Sequence, residues 1–177
     1  MSRLERARAL GLSQWRLVAG AIYNTVWNRM TGRDPLFGIS DLDIAYFDPD
    51  LSYAAEDREI QRAQQAFPDR PPVELRNQAR VHLWYRSKFG AEFAPLASTD
   101  EGLARYLSPA QAVGVRLDAD GDLDIAAPFG LEPLFAMRLE PNPGCPGVEN
   151  FPTKAAQLKA LWPELSVPPH TIQVLPK

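Results

Sequence analysis

Hydrophobic and polar positions change their spacing several times along the chain, and each change predicts a different kind of element. Apolar residues at helical spacing, together with capping signals, predict six helices at residues 2–10, 22–30, 53–67, 99–107, 130–139 and 151–161. Ser2, Ser52, and Ser98 or Thr99 occupy positions typical of helix N-caps.

Alternating or β-branched runs lie between these helices and predict strands at residues 16–19, 42–47 and 73–84. In residues 112–127, apolar and polar residues alternate on both sides of Asp120-Gly121, which predicts a hairpin closed by a two-residue turn. Because strands and helices succeed one another and a hairpin follows, the pattern predicts an α+β (mixed α/β) domain. We expect one domain over residues 1–177, with a core at about 13–140 and a C-terminal helix and proline-rich tail at 141–177.

The composition is that of an ordinary globular domain and narrows the possible functions. The net charge is −3, whereas a protein that grips long DNA non-specifically needs a basic surface, so we expect no bulk DNA binding. The N-terminal segment lacks the apolar core of a signal peptide, and no run approaches the length of a membrane span. The single cysteine, Cys145, excludes an intramolecular disulfide and suits a reducing compartment. These features predict a cytoplasmic protein without a membrane partner.

The most informative segment is the acidic start of the second predicted strand. Asp41 and Asp43 are two residues apart, so in a strand both carboxylates project to one side, while Leu42, Ile44 and Tyr46 face the core. Two adjacent carboxylates repel each other, and a divalent cation that also binds phosphate oxygens relieves that repulsion. The same pattern also fits a loop end followed by a solvated strand face, and the motif alone does not separate the two interpretations.

Upstream of the acidic pair, an apolar strand meets a helix at Gly20-Ala21. A glycine at such a junction lets backbone approach a phosphate, and the N–H groups of the helix terminus then face it. Asn24 and Thr25 follow in the helix and are candidate side-chain donors to a nucleotide.

Downstream, polar residues occupy the even positions from 74 to 82 of the third predicted strand. One interpretation is a solvated face of an antiparallel sheet. The other is a functional face, on which Glu74 is a third carboxylate near the metal, and Arg76 and Arg80 bind phosphate through their guanidinium groups.

These segments together resemble the nucleotidyltransferase superfamily, and in particular a bacterial family of small nucleotidyltransferase-like proteins. The matching runs are Leu17–Ile22, Asn24–Trp27, Ser40–Asp48, Val73–His82, Ala112–Leu117, Ala127–Leu131, Lys154 and Trp162-Pro163. The resemblance implies a DNA polymerase beta-like fold with a mixed sheet and flanking helices. It also implies transfer of a nucleoside monophosphate from a nucleoside triphosphate (NTP) to an acceptor hydroxyl, with release of pyrophosphate.

The resemblance assigns roles to individual residues. Asp41 and Asp43 match the metal-binding pair for Mg²⁺ or Mn²⁺, Glu74 falls where a third acid is expected, and Ser40 lies beside the pair on the nucleotide side. Gly20 matches the first residue of the glycine turn, whereas Ala21 replaces the usual Gly or Ser at the second. This departure leaves an alternative open, in which the protein keeps the fold and binds a nucleotide or a partner without catalysis, for example as a toxin–antitoxin component. The acceptor is a small molecule, a protein or an RNA end.

Overall fold

A computed structural model describes residues 2–168, and the end of the predicted proline-rich tail lies outside them. The strands are β1 (Arg16–Leu17), β2 (Leu42–Tyr46), β3 (Val73–Asn77), β4 (Gly114–Leu117) and β5 (Leu123–Ala126). The α-helices are α1 (Arg3–Ala9), α2 (Gly20–Thr31), α3 (Tyr53–Ala66), α4 (Val81–Phe89), α5 (Thr99–Leu103), α6 (Glu132–Phe135) and α7 (Phe151–Leu161). The predicted α+β class is confirmed.

The five strands form one mixed sheet in the order β3-β2-β1-β4-β5. β2 and β3 are parallel because α3 carries the chain back between them, and the other neighbours are antiparallel. In the parallel pair Asp43 lies directly opposite Glu74. The register therefore brings two acidic residues, 31 positions apart in the sequence, to adjacent strands on one face.

The predicted helix starts are confirmed where a serine supplies a hydrogen-bond acceptor for the first turn. Ser2 and Glu5 form a reciprocal capping box at α1. Ser52 accepts from the backbone N–H of Ala55 at α3, and Ser98 accepts from that of Glu101 at α5. These serine side chains accept hydrogen bonds from backbone N–H groups of the first turn, which have no carbonyl partner within the helix.

The predicted continuation of the third strand to residue 84 is wrong, because the strand ends at Asn77. The Asn77 side chain caps a short 3₁₀ turn by accepting from the N–H of Ala79, and α4 follows from Val81. Asn77 Nδ2 also donates to the carbonyl oxygens of Asp48 and Asp50. The polar alternation beyond Asn77 thus belongs to a turn and a helix, where alternating positions no longer point to one face.

Two further predictions are corrected. The hairpin loop spans the five residues 118–122 instead of two, since Leu117 pairs with Leu123. Asp118 Oδ1 organises this loop by accepting from the N–H groups of Asp120 and Asp122. The helix predicted at 130–139 contracts to α6, because Gly130 and Met137 have positive φ angles on either side of it.

Apolar residues pack in two main clusters, and the predicted burial of Leu42, Ile44 and Tyr46 is confirmed. The cluster that contains them joins β2 to α1 and α3, beneath the sheet. The other cluster is centred on Trp27 and Trp162, both fully buried, and joins α2 to α6 and α7. No helix among residues 2–168 is long and apolar enough to cross a membrane.

Candidate active site

The junction between β1 and α2 has an unusual backbone conformation at Ala19. This residue has φ 55° and ψ −138°, a region that is readily accessible to glycine and strained for other residues. Its carbonyl oxygen accepts from the N–H groups of Ile22 and Tyr23, and no side chain caps the helix. The turn therefore centres on Ala19-Gly20, one residue earlier than predicted. Ala21 is buried within α2 and packs in the core.

The two predicted donors on α2 are occupied within the fold. Asn24 Nδ2 donates to the carbonyl oxygen of Gly38 at 2.8 Å, and Thr25 Oγ1 donates to that of Ala21 at 2.7 Å. Asn28, one turn further on, donates to the carbonyl oxygen of Phe37 and accepts from the indole of Trp162. These bonds tie the loop before β2 to α2, which positions the acidic residues at the start of that strand.

The acidic pair lies at the beginning of β2, as predicted. Leu42 enters the core, so Asp41 and Asp43 flank it on the opposite side, and both are partly exposed. Ser40 lies beside the pair and its hydroxyl donates to Asp41 Oδ2 at 3.1 Å.

The electrostatic surroundings of Asp43 disfavour its ionised form. Burial raises the pKa of this carboxyl to about 7, and the charges of Asp41 and Glu74 contribute in the same direction. Arg76 and Lys154 oppose the increase in the pKa. Three acidic groups thus act on one another with too little positive charge nearby to compensate.

Glu74 projects from β3 beside Asp43 and is held by Arg76. Arg76 Nη2 donates to Glu74 Oε1 at 2.7 Å, and both side chains are well exposed. Within residues 2–168, no group of three or more His, Cys, Asp and Glu side chains is close enough together to hold a metal ion. Asp43 and Glu74 are neighbours across the sheet, but the carboxylate of Glu74 is engaged with an arginine.

Arg80, predicted beside Arg76, lies elsewhere. It belongs to the 3₁₀ turn after β3, where it pairs with Glu56 of α3, and its guanidinium stacks over the ring of Tyr53. Glu56 is buried, and the Arg80 side chain is only 11% exposed. Arg80 therefore stabilises the turn, and a phosphate would have to displace a buried carboxylate to reach it.

Asp43 and Glu74 open onto a cleft of about 630 Å³, within the range of small-molecule sites. Ala19 and Tyr23, at the N-terminal end of α2, line part of the cleft. Asp41 does not line it. Four basic residues from different elements surround the cleft: Arg76, Lys88, Arg105 and Lys154. One wall is aromatic and consists of Trp84, Tyr85 and Phe89 of α4.

Comparison with known proteins places this geometry in a family. A family model described as nucleotidyltransferase matches residues 5–167. The chain belongs to the nucleotidyltransferase family. No curated protein matches the chain.

Two solved structures support the fold of this nucleotidyltransferase. One is described as a CCA-adding enzyme head domain, with 27% sequence identity, a TM-score of 0.77, and coverage of 93% of this chain and 86% of the other. The second is a tRNA-processing enzyme in an apo form, with 16% identity and a TM-score of 0.53. That match covers 94% of this chain and 44% of the other, and shows the fold alone. The predicted family, fold class and enzyme class are confirmed.

Sequence reasoning missed most of the cleft of this nucleotidyltransferase. Lys88, Arg105 and Trp84 belong to no motif that the sequence analysis identified. Lys154 was part of the resemblance but had no assigned role. A helical interpretation of residues 81–89 would have placed Trp84, Tyr85 and Lys88 on neighbouring positions of one helix face.

Burial also raises the pKa of Tyr23 to about 12 and that of Tyr106 further, so both phenols remain protonated beside Asp43.

Proposed function

We propose that this nucleotidyltransferase moves a nucleoside monophosphate from an NTP to an acceptor hydroxyl, with Asp41 and Asp43 holding Mg²⁺ or Mn²⁺. The observation that carries the proposal is the convergence of Asp43, Glu74, an uncapped helix N-terminus and four cationic side chains on one cleft. Acidic residues alone would repel a triphosphate. The basic residues and the helix N-terminus that line the same cleft supply the positive charge that a triphosphate needs.

The donor set fits a hard divalent cation. Carboxylate oxygens are the ligands that Mg²⁺ prefers, and it commonly takes one or two of them together with phosphate oxygens. Asp43 is partly buried beside two other acids, which raises its pKa, and a bound cation would reverse that penalty. The metal would supply charge neutralisation at the reacting phosphate. Glu74 is the candidate third ligand, available once Arg76 pairs with phosphate instead.

In the proposed reaction, the acceptor oxygen attacks the α-phosphorus in line with the bond that breaks. A new bond forms between the acceptor oxygen and the α-phosphorus, the bond to the bridging oxygen breaks, and pyrophosphate leaves. The hydroxyl proton passes to a carboxylate of the site, for which Glu74 is our candidate. Arg76 and the N-terminus of α2 orient the phosphates, so that positioning and charge complementarity provide most of the catalysis.

The acceptor hydroxyl belongs to an RNA end, a small molecule or a protein. Because one similar structure is described as a CCA-adding enzyme head domain, we would test an RNA 3′ end first. Small molecules and proteins remain the other classes to test. The net charge of −3 favours an acceptor that is held locally over one gripped along a long nucleic acid.

Titration calorimetry with each of the four common NTPs, with and without Mg²⁺, tests the proposal. We expect Mg²⁺-dependent binding by the wild-type protein and at least tenfold weaker binding by Asp43→Asn, which keeps the shape and removes the charge. Asp120→Asn, in the exposed hairpin loop, is the matched control and should bind normally. Absence of binding to all four NTPs would favour the alternative, a non-catalytic module that binds a protein partner.

A further inference from the structure

The aromatic wall of the cleft is built by α4 and the segment after it. The ring of Tyr85 packs 4.7 Å from Phe89 and 4.5 Å from Phe93, measured between centroids. Trp84 lies 6.2 Å from Tyr85 and 6.3 Å from Phe89. These separations are those of mutually supporting aromatic rings. The wall is thus a preformed aromatic surface.

Tyr85 is held between Phe89 and Phe93 by ring packing. Burial raises the pKa of its phenol to about 12. Trp84 and Phe89 line the cleft with part of their surface exposed, and Phe89 is 40% exposed. Rings that serve only as packing are covered by the protein, whereas these two present exposed surface beside an anchored neighbour.

The side chain of Lys88 is placed over this surface. Its ammonium lies 5.6 Å from the centroid of Trp84 and 5.3 Å from that of Phe89. A cation over an exposed ring is held by only about 0.5–1 kcal/mol. An incoming flat ring can therefore replace Lys88 on the aromatic faces, and the released ammonium remains in the cleft to pair with phosphate.

The cleft joins the aromatic wall to the carboxylates in one continuous cavity that also contains Arg105 and Lys154. An occupant that matches both parts has a flat aromatic ring at one end and several negative charges at the other. A nucleoside triphosphate has this composition. A purely apolar ligand would leave the cations unpaired, and an inorganic polyphosphate would leave the rings exposed.

Building on the proposed function, we infer that the nucleobase of the NTP stacks on Trp84, supported by Tyr85 and Phe89, while Lys88 moves to the phosphates. Recognition by stacking makes this subsite a platform for bases of more than one kind, since every base has a π-face. Trp84 is then a binding residue that acts on the base and leaves the phosphate contacts unchanged.

The fluorescence of Trp84 also provides a way to measure base stacking. The chain has four tryptophans, and Trp15, Trp27 and Trp162 are buried in the core. Trp84 lines the cleft, so fluorescence quenching by a stacked base reports mainly on this residue. We would titrate wild type, Trp84→Leu, Trp84→Phe and the control Leu83→Ala with ATP and with inorganic tripolyphosphate, both with Mg²⁺. Calorimetry would give the affinities, and circular dichroism would confirm folding of each variant.

We expect ATP, but not tripolyphosphate, to quench the wild-type fluorescence. Trp84→Leu should bind ATP about 5- to 100-fold more weakly and tripolyphosphate normally, in line with the cost of losing one aromatic platform. Trp84→Phe should recover most of the affinity, and Leu83→Ala, an exposed neighbour on α4, should match wild type.

Equal ATP affinity of Trp84→Leu and wild type would overturn the stacking subsite and leave the phosphate site standing. Failure of wild type to bind either compound would overturn the proposed function itself, and the subsite with it. If Trp84→Leu does not fold, the comparison of Trp84→Phe with Phe89→Leu replaces it. In that comparison Phe89→Leu should bind ATP more weakly than Trp84→Phe, and equal ATP affinity of these two variants would contradict the inference.

Discussion

Two acid–arginine pairs lie near the end of β3, and they differ in their exposure to solvent and in their surroundings. Glu74 and Arg76 join at 2.7 Å with side chains 40% and 44% exposed. Glu56 and Arg80 pair with side chains only 9% and 11% exposed. The first pair borders the cleft, and the second lies in the turn that ends β3.

The buried pair is part of a network. Glu56 Oε1 also accepts from the backbone N–H of Asn77 at 2.8 Å, and Asn77 in turn holds the backbone at residues 48, 50 and 79. Loss of one partner from the exposed pair costs less, because water can solvate either group and a phosphate can replace Glu74 as the partner of Arg76. The buried pair therefore has a structural role, whereas the exposed pair is available for the proposed contact with phosphate.

Removal of one partner from the buried pair should have the largest effect on stability. Glu56→Gln leaves the Arg80 charge buried without its carboxylate, for which we expect a loss of about 3–5 kcal/mol in the free energy of unfolding. The matched change Glu74→Gln should cost less than about 1 kcal/mol, because water solvates Arg76. Urea unfolding of both variants measures the difference. Similar losses in the two variants would contradict the distinction between the pairs.

Asp43→Asn should stabilise the metal-free protein at alkaline pH. The pKa of Asp43 is raised from 3.8 to about 7, so the fold favours the protonated form. The contribution of the protonated Asp43 carboxyl to the free energy of unfolding is complete below pH 3.8 and is lost as the pH rises through 7.

At pH 8 with a chelator, we expect Asp43→Asn to gain about 1–3 kcal/mol over wild type, after allowance for partial exposure. The gain should shrink towards pH 4, and Asp120→Asn should show none. Denaturant titrations across this pH range provide the measurement. A loss of stability in Asp43→Asn at pH 8 would mean that Asp43 is not held among like charges.

Arg76→Gln should weaken NTP binding about tenfold, roughly 1.4 kcal/mol, with little change in the free energy of unfolding. The reason is that Arg76 would lose its charge-assisted bond to phosphate, whereas its bond to Glu74 is exposed to water. Arg86→Gln removes an arginine from an even more exposed pair, with Glu92, and serves as the control in calorimetry. Unaltered affinity in Arg76→Gln would exclude partner exchange at this pair.

The smallest expected effect belongs to Ala19→Gly. Glycine adopts φ 55°, ψ −138° without steric strain, but it loses more chain entropy on folding. We expect a net stabilisation of about 1 kcal/mol, because strain of this kind costs about 1–3 kcal/mol. Thermal unfolding checks it, with Ala21→Gly inside α2 as a contrasting variant that should destabilise. Destabilisation by Ala19→Gly would show that the conformation is not strained.

Local signals in the sequence predicted the parts of the fold that local chemistry determines. Ser2 and Ser52 cap their helices as expected, and the alternation of Leu42, Ile44 and Tyr46 identified the buried face of β2. The end of β3 was missed because Asn77 terminates the strand through contacts with residues about 30 positions away. A polar alternation does not reveal such long-range bonds.

The candidate site was predictable only in its acidic part. Asp41 and Asp43 are two residues apart in the sequence, and the parallel register brings Glu74 beside Asp43. Lys88 and the aromatic wall lie on α4 and Lys154 lies on α7, and only the tertiary fold brings these two helices to the cleft of the carboxylates. For the same reason the sequence placed Arg80 with Arg76, although the turn sends it to Glu56.

The central claim is that Asp41 and Asp43 hold a divalent cation together with a nucleotide. Electron paramagnetic resonance of Mn²⁺ tests it most directly, because free Mn²⁺ gives a signal that diminishes on binding. With a non-hydrolysable ATP analogue at a fixed concentration, added wild-type protein should reduce the free Mn²⁺ signal well beyond the reduction by the analogue alone. Asp43→Asn should remove that extra reduction and Asp120→Asn should keep it. Equal reduction by wild type and Asp43→Asn would contradict the account.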